Sequence, residues 1–310
     1  MCSRIGFRQM SRLVDPTLAQ RLLAALCCIA LMLQAGCATL KKNNLADRLH
    51  SSNFREWTPS LAKTPRVTII DNQAWVRNVR QCSYVSEDDY TVNYFEKQLD
   101  VNKLRTVDYI VVPFDGSTLL AHTMLSFGFE DGQYLCVSPE VRTEKGEKYS
   151  AILGLARQFE ITYVIGDERD LIGLRTKHRN SDVYVYPTSA SPEQVHRLFF
   201  DVMQRVNDLA NNPEFYNSLT NNCTTNLARH VNDLQPSRVP YDLPVLFPAL
   251  SAQYAYKLGL LDQSLPFAEL KKHAKVNSVA NAALDSPDFS ARIREDMRLA
   301  LQTTQSAKLR

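Results

Sequence analysis

The sequence predicts an α+β domain built around an antiparallel sheet. Three observations point there. Short apolar runs rich in β-branched residues recur between Val67 and Tyr186. Two longer segments, Ser117–Phe129 and Gln133–Val141, flank Glu130-Asp131-Gly132, which is a hairpin signal. Further on, Val195, Leu198, Phe199, Val202, Val206 and Leu209 recur at three- and four-residue spacing, the period of a helix with one buried face.

The chain opens with Arg4, Arg8, Arg12 and Arg21, a single acid, Asp15, and then the apolar run Leu22–Leu33. A spanning helix needs about 20 apolar residues. The shorter run reads as the centre of a secretory signal peptide, residues 1–36. Gln34-Ala35-Gly36-Cys37 resembles the lipobox of bacterial lipoproteins. That resemblance implies cleavage before Cys37 and a lipid on its thiol, which would be the protein's contact with the membrane. Ala38, where an aspartate would retain such a lipoprotein at the inner membrane, implies the periplasmic face of the outer membrane. The alternatives are an ordinary secretory signal with an incidental cysteine, or an uncleaved anchor.

The chain holds 36 basic and 33 acidic residues. Loss of the signal removes four of the first and one of the second, leaving a neutral protein. Nucleic-acid affinity comes largely from neutralising phosphates, so no nucleic-acid partner is expected. Beyond Cys37, only Cys82, Cys136 and Cys223 remain in the mature chain. In an oxidising compartment two of them can pair and one stays free. Local context favours Cys223 as the odd thiol.

Residues 37–65 read as a tether and lead-in, with Pro59 and Pro65 marking its end. Residues 66–235 read as the main domain. Strands are expected at Val67–Ile70, Tyr109–Pro113, the hairpin pair, Phe159–Ile165 and Asp182–Tyr186. A helix follows over Ser191–Asn211, capped by Ser191 with Pro192 at its first position. Another runs from Cys223 to about Leu234. Residues 236–310 read as a Pro-rich segment and a helical tail, because Pro236, Pro240, Pro244 and Pro248 exclude regular helix or central strand.

The segment Tyr216–Thr225 carries the chemistry. Asn221 or Asn222 suits a helix cap, which puts Cys223 in the first helical turn. There the unpaired N–H groups and the macrodipole favour a thiolate. The alternative is a small buried residue at a helix start. A thiol needs a base, and His230, seven residues on along the same helix, is roughly 10 Å away by helix rise. His122 lies inside an apolar strand, either as a satisfied core residue or as a positioned base. A three-residue turn at Glu130–Gly132 pairs Phe129 with Gln133 and sets His122 opposite Glu140, a carboxylate that would orient the ring. A two-residue turn sets His122 opposite Val141 instead. The register stays open between the two.

At these residues the chain resembles, from about Val76 to Asn232, the periplasmic domain of the bacterial lipoprotein N-acyltransferase Lnb and its relatives. The segments that carry it are Val79-Arg80 with Tyr84, Ser86 and Asp89, then Ala121-His122-Thr123 with Leu125–Phe129. Ser138–Arg142, Glu160, Gly166-Asp167, Arg169-Asp170, Arg175 and Tyr216–Thr225 follow in order. The resemblance implies a circularly permuted papain-like fold with Cys223 as nucleophile, His122 as base and Glu140 as third residue. The acyltransferases continue into a transmembrane region, whereas this chain continues into its Pro-rich segment and helical tail.

The expected chemistry is acyl transfer or hydrolysis through a thioester on Cys223, with helix N–H groups and the Asn222 amide at the oxyanion. Phospholipid or lipoprotein acyl groups and peptidoglycan peptides are both open as substrates. A non-catalytic binding module is the third reading. Arg142, Arg169 and Arg175 stand between binding an anionic group and pairing with Asp167, Asp170 and Glu140. No cysteine–histidine cluster has metal-ligand spacing, and no metal or other cofactor is expected.

Overall fold

A computed structural model describes residues 49–235, 238–241 and 247–308. The readings made on residues 1–36, Cys37, Pro236 and Pro244 lie outside them. The chain divides into two units, 1–50 and 51–310, and the fold is that of the second.

β1 (Arg66–Ile70) pairs with β2 (Gln73–Tyr84), and β2 with β3 (Tyr90–Asp100). β4 (Leu104–Pro113), β5 (Ala121–Phe129) and β6 (Tyr134–Arg142) form an antiparallel meander. After a short helix α1 (Ala151–Leu155), β7 (Glu160–Gly166) joins β6. α2 (Glu168–Gly173) runs into a π-turn over Leu174–His178, and β8 (Tyr184–Pro187) returns to β4. Then come α3 (Pro192–Asn211), the two-residue β9 (Glu214–Phe215) and α4 (Cys223–Leu234). Among the described residues four more helices follow: α5 (Ser251–Lys257), α6 (Phe267–Ala274), α7 (Asn277–Ala282) and α8 (Phe289–Lys308). The sheet order is β1-β2-β7-β6-β5-β4-β8, with β3 beside β2 and β9 beside β7. Among these pairs only β2 with β7 is parallel. The fold is α+β, as expected.

Successive strand residues point to opposite faces, and the two faces bury different partners. Leu125, Phe127 and Val137 meet Phe199 of α3 and Leu227 of α4. Met124, Cys136 and Val164 meet Leu171 of α2 and Phe289 of α8. The ring of Phe127 stands edge-on to Phe199 at 5.2 Å, a geometry the aromatic quadrupoles favour.

The hairpin resolves the open register. Phe129 and Gln133 are hydrogen-bonded, Gly132 has φ +80, and Leu125 pairs with Val137. The three-residue turn is therefore the one formed. α3 begins where its sequence says, with a reciprocal capping box between Ser191 and Gln194. Two expectations change. Strand β5 starts at Ala121 rather than Ser117, because Ser117 Oγ accepts from the N–H groups of Leu119 and Leu120 and bends the chain. All three described cysteines are free thiols. Cys82 and Cys136 lie on strands with β7 between them, and Cys136 is in register through Gly166 with Arg80 rather than Cys82; sheet spacing alone sets them more than about 9–10 Å apart, beyond disulfide reach.

Several residues of the resemblance form one buried cluster. Arg80 forks onto Asp170 at 2.9 and 2.8 Å, and Tyr84 Oη donates to the same carboxylate at 3.0 Å. The cluster ties β2 to α2.

The tail shares the core. Leu261, Leu270 and Met297 pack in the same apolar cluster as the sheet and α3. Arg294 of α8 reaches between two buried acids, 2.7 Å from Asp108 and 2.5 Å from Glu168, with its guanidinium over the Tyr134 ring at 3.8 Å. Removing one member of a buried charge group leaves the others uncompensated. Arg294→Ala should therefore cost roughly 3–5 kcal/mol. Burial already holds the Asp108 carboxyl above its ordinary value against the pull of Arg294; without Arg294 it would rise further, so the deficit should grow as pH rises and shrink in acid. Denaturant titrations of both proteins across pH measure it, and a pH-independent deficit would contradict the account.

Candidate functional site

The loop before α4 explains why the thiol sits where it does. Asn217 and Asn221 exchange two backbone hydrogen bonds at 3.0 Å, and the Asn217 side chain accepts from Leu219 and Thr220 N–H. Asn221 Nδ2 donates to Glu214, which Arg205 grips with both nitrogens at 2.6 and 2.7 Å. Asn222 then caps the helix in a reciprocal box with Thr225. This leaves Cys223 as the first helical residue, where backbone N–H groups have no intrahelical acceptor.

Cys223 faces the start of β5. Its Sγ lies 4.0 Å from the Ala121 carbonyl oxygen and 3.8 Å from Thr224 Oγ1, and Thr224 in turn meets Thr123 at 3.2 Å. On β5, His122 Nε2 is 2.6 Å from Ser138 Oγ, and Ser138 Oγ is 2.7 Å from Glu140 Oε1. A carboxylate only accepts, so Ser138 gives its one hydrogen to Glu140 and must accept from His122 Nε2–H. The neutral ring then carries its proton on Nε2 and keeps the Nδ1 lone pair. Glu140 also receives Arg175 Nη2 at 2.8 Å, and Arg175 is itself buried.

The electrostatics follow from these partners. Burial pushes the Cys223 thiol up, but the hydrogen bond and charge of His122, with help from Thr123, bring it down to about 7. Burial alone would lower His122; Glu140 and the Cys223 sulfur outweigh it and leave the imidazole above its ordinary value. For Glu140, burial is overcome by His122 and then Arg175, and the carboxyl is held well below the usual range. Cys82 is pushed up to about 11 by burial and the charge of Asp170. Burial raises Cys136 as well. Of the three thiols, only Cys223 is lowered.

The sequence-chosen residues separate into two groups. Cys223, His122, Glu140, Asn222 and Arg175 all line one cleft of about 610 Å³. Arg142 does not join them. Buried on β6, it donates to the carbonyls of Leu61 and Ala62 and to Asn53 Oδ1, with its guanidinium over Trp57 at 4.1 Å. It fastens the lead-in segment and has no site facing solvent. Arg169 pairs with Asp167 at 3.1 Å as part of the cap of α2 and stays apart from the cleft. The expected pairing of Glu140 is met by Arg175 alone. Asn222 Oδ1 accepts from Thr225 N–H and its Nδ2 donates to Ser218 O, so only one amide hydrogen is left for another acceptor.

Ser138 was not singled out. It stands two residues from Glu140 on the same strand, hence on the same face, and that spacing was the available signal. Thr123 and Thr224 offered none, because their contact joins residues far apart in sequence. Among the described residues no group of three or more His, Cys, Asp and Glu could hold a metal ion, and no helix is long and apolar enough to cross a membrane.

Comparison with curated proteins gives no match, and comparison with solved structures gives none. A family model does match, over residues 90–249, from β3 to the turn before α5. The matched span holds His122, Ser138, Glu140, Arg175 and Cys223. It covers just over half of the chain, which therefore belongs to the family of the Lnb N-terminal periplasmic domain.

Proposed function

We propose that this periplasmic protein is a thiol acyltransferase or hydrolase that works through a thioester on Cys223. The observation that carries the reading is a thiol lowered to about 7 at a helix start, beside an imidazole whose far nitrogen is tied through Ser138 to Glu140. A nucleophilic helix packed on a sheet whose earlier strand bears the histidine also supports a circularly permuted papain-like domain.

In the proposed reaction the thiol proton passes to His122 Nδ1 and the thiolate attacks an ester or amide carbonyl carbon. A carbon–sulfur bond forms while the carbonyl oxygen takes the charge. The N–H groups of Cys223 and Thr224, and the remaining Asn222 amide hydrogen, would receive it. As the tetrahedral adduct collapses, the carbon–oxygen or carbon–nitrogen bond breaks and His122 protonates the leaving group. Water or an amine then attacks the thioester, His122 takes its proton, and the sulfur leaves as thiolate.

Acyl groups of phospholipid or lipoprotein are the first substrate class. Support comes from family membership and from Phe114, Leu120 and Tyr149, apolar side chains at the cleft that are partly exposed. A peptide of the cell wall is the second. Arg179, Glu87 and Asp88 on another wall of the cleft suit a polar chain. With residues 1–36 cleaved as a signal, the lipid on Cys37 would hold the protein at the outer membrane.

Two experiments test this. An electrophilic acyl probe on purified protein, read by mass spectrometry, should modify Cys223, and His122→Ala should abolish the adduct. Modification spread over Cys82 and Cys136 would count against the site. The rate of Cys223 alkylation should rise with pH through about 7, because the thiolate is the reactive form and exists above the thiol pKa. Glu140→Gln removes the charge that raises His122, so the imidazolium weakens and the thiol pKa climbs. The inflection should move upward, with the rate at neutral pH falling about tenfold per unit. An unmoved inflection would remove Glu140 from the site.

A further inference from the structure

A second cavity, of about 330 Å³, lies between α3, α4, α5 and the sheet. Tyr109 and Leu125 come from the sheet, Leu198 from α3, Leu227 and Val231 from α4, and Ala255 from α5. The buried polar groups in its wall satisfy one another: Tyr109 Oη donates to Ser251 at 2.8 Å, and Thr224 meets Thr123. The apolar side chains of this lining offer water few hydrogen-bond partners. Left empty, the space forfeits dispersion contacts on every wall. Ligand pockets begin at about this size, roughly 300 Å³.

The lining has one sign of charge. Arg197 and Arg238 belong to it, and none of the described lining residues is an acid. The Arg197 guanidinium reaches a backbone carbonyl, that of Leu234, at 3.3 Å. Cations over an apolar recess complement a ligand with an apolar chain and an anionic head. We propose that this cavity binds a single-chain anionic amphiphile, its chain among α3, α4 and α5 and its head on Arg197 and Arg238. The cavity is separate from the thiol cleft: Thr224 lines one and Cys223 the other, on consecutive positions of α4. Binding therefore does not depend on the thiol chemistry. A fatty carboxylate and the phosphate of a lysophospholipid share the required chemistry.

Calorimetric titration of the full chain and of Cys223→Ala with dodecanoate, lysophosphatidylglycerol and dodecanol tests the assignment. Both proteins should bind at least one anionic amphiphile about tenfold tighter than dodecanol. The tighter anion then identifies the source, carboxylate or phosphate head. Replacing Arg197 and Arg238 together by alanine should erase the preference. Ala228→Trp, which fills the cavity, should abolish binding. Equal affinity for dodecanol and both anions would overturn the proposal, as would undiminished binding by a folded Ala228→Trp protein. A photoactivatable fatty acid on the wild-type chain gives an independent reading. Adducts on Val231 or Ala255 support the cavity, and adducts confined to Tyr149 and Phe114 overturn it.

Discussion

Glu140 is a carboxylate shared by a guanidinium and, through Ser138, an imidazole, with Arg175 Nη2 and Ser138 Oγ 2.8 and 2.7 Å from its Oε1. The sharing sets the character of the cleft. Alone, a half-buried carboxylate beside His122 would hold the ring as imidazolium and hinder it from giving its proton back. Arg175 tempers that pull, since its charge lowers His122 while Glu140 raises it. A base that must both take and return a proton works best with a pKa near the ambient pH. The balance in turn depends on the Glu130–Gly132 turn. One residue of slip would send Ser138 and Glu140 together to the opposite face of the hairpin and leave His122 on β5 without its partner.

The turn and the helix starts were legible because their signals are local. Gly132 supplies the positive φ, Ser191 and Gln194 close a box three residues apart, and Asn222 sits one residue before the thiol. The β2–β3 hairpin was not seen. Asn78 has φ +60, and the register with β3 shifts between Val76 and Val79, so the two-residue alternation breaks in the middle of the strand. β3 is mostly half-exposed and has little apolar pattern to read. Arg142 was unreadable for another reason. Two of its acceptors are the carbonyls of Leu61 and Ala62, which leave no mark in sequence, and Asn53 and Trp57 lie more than 80 residues away. Arg294 presents the same difficulty at longer range, 186 residues from Asp108.

The precision of a nucleophile is the precision of the element that bears it. α4 is fixed at both ends and in the middle. Thr224 meets Thr123 at its start. Asn232 near its end exchanges two hydrogen bonds with the backbone of Val239, at 2.9 and 2.8 Å. Between them, His230 stands buried between Tyr163 Oη at 2.7 Å and Asp201 at 2.5 Å. Rotation of the helix about its axis would break all three contacts, so the direction of the Cys223 side chain follows from residues up to three turns away.

His230 and His122 show why residue type alone does not assign chemistry. His230 is buried and His122 half-buried, and each has a carboxylate nearby. Both ring nitrogens of His230 are engaged within the protein, one by a phenol and one by an aspartate. No lone pair or proton is left to exchange with a substrate, and the ring serves as a cross-link between α4, β7 and α3. His122 has its Nε2 closed by Ser138, and its ring lines the same cleft as Cys223, whose thiol it lowers. An unfilled valence facing an open space, rather than the imidazole itself, separates the candidate base from the structural histidine. The same test separates Cys223 from Cys82 and Cys136, whose burial raises the thiol with no neighbouring imidazole to reverse it.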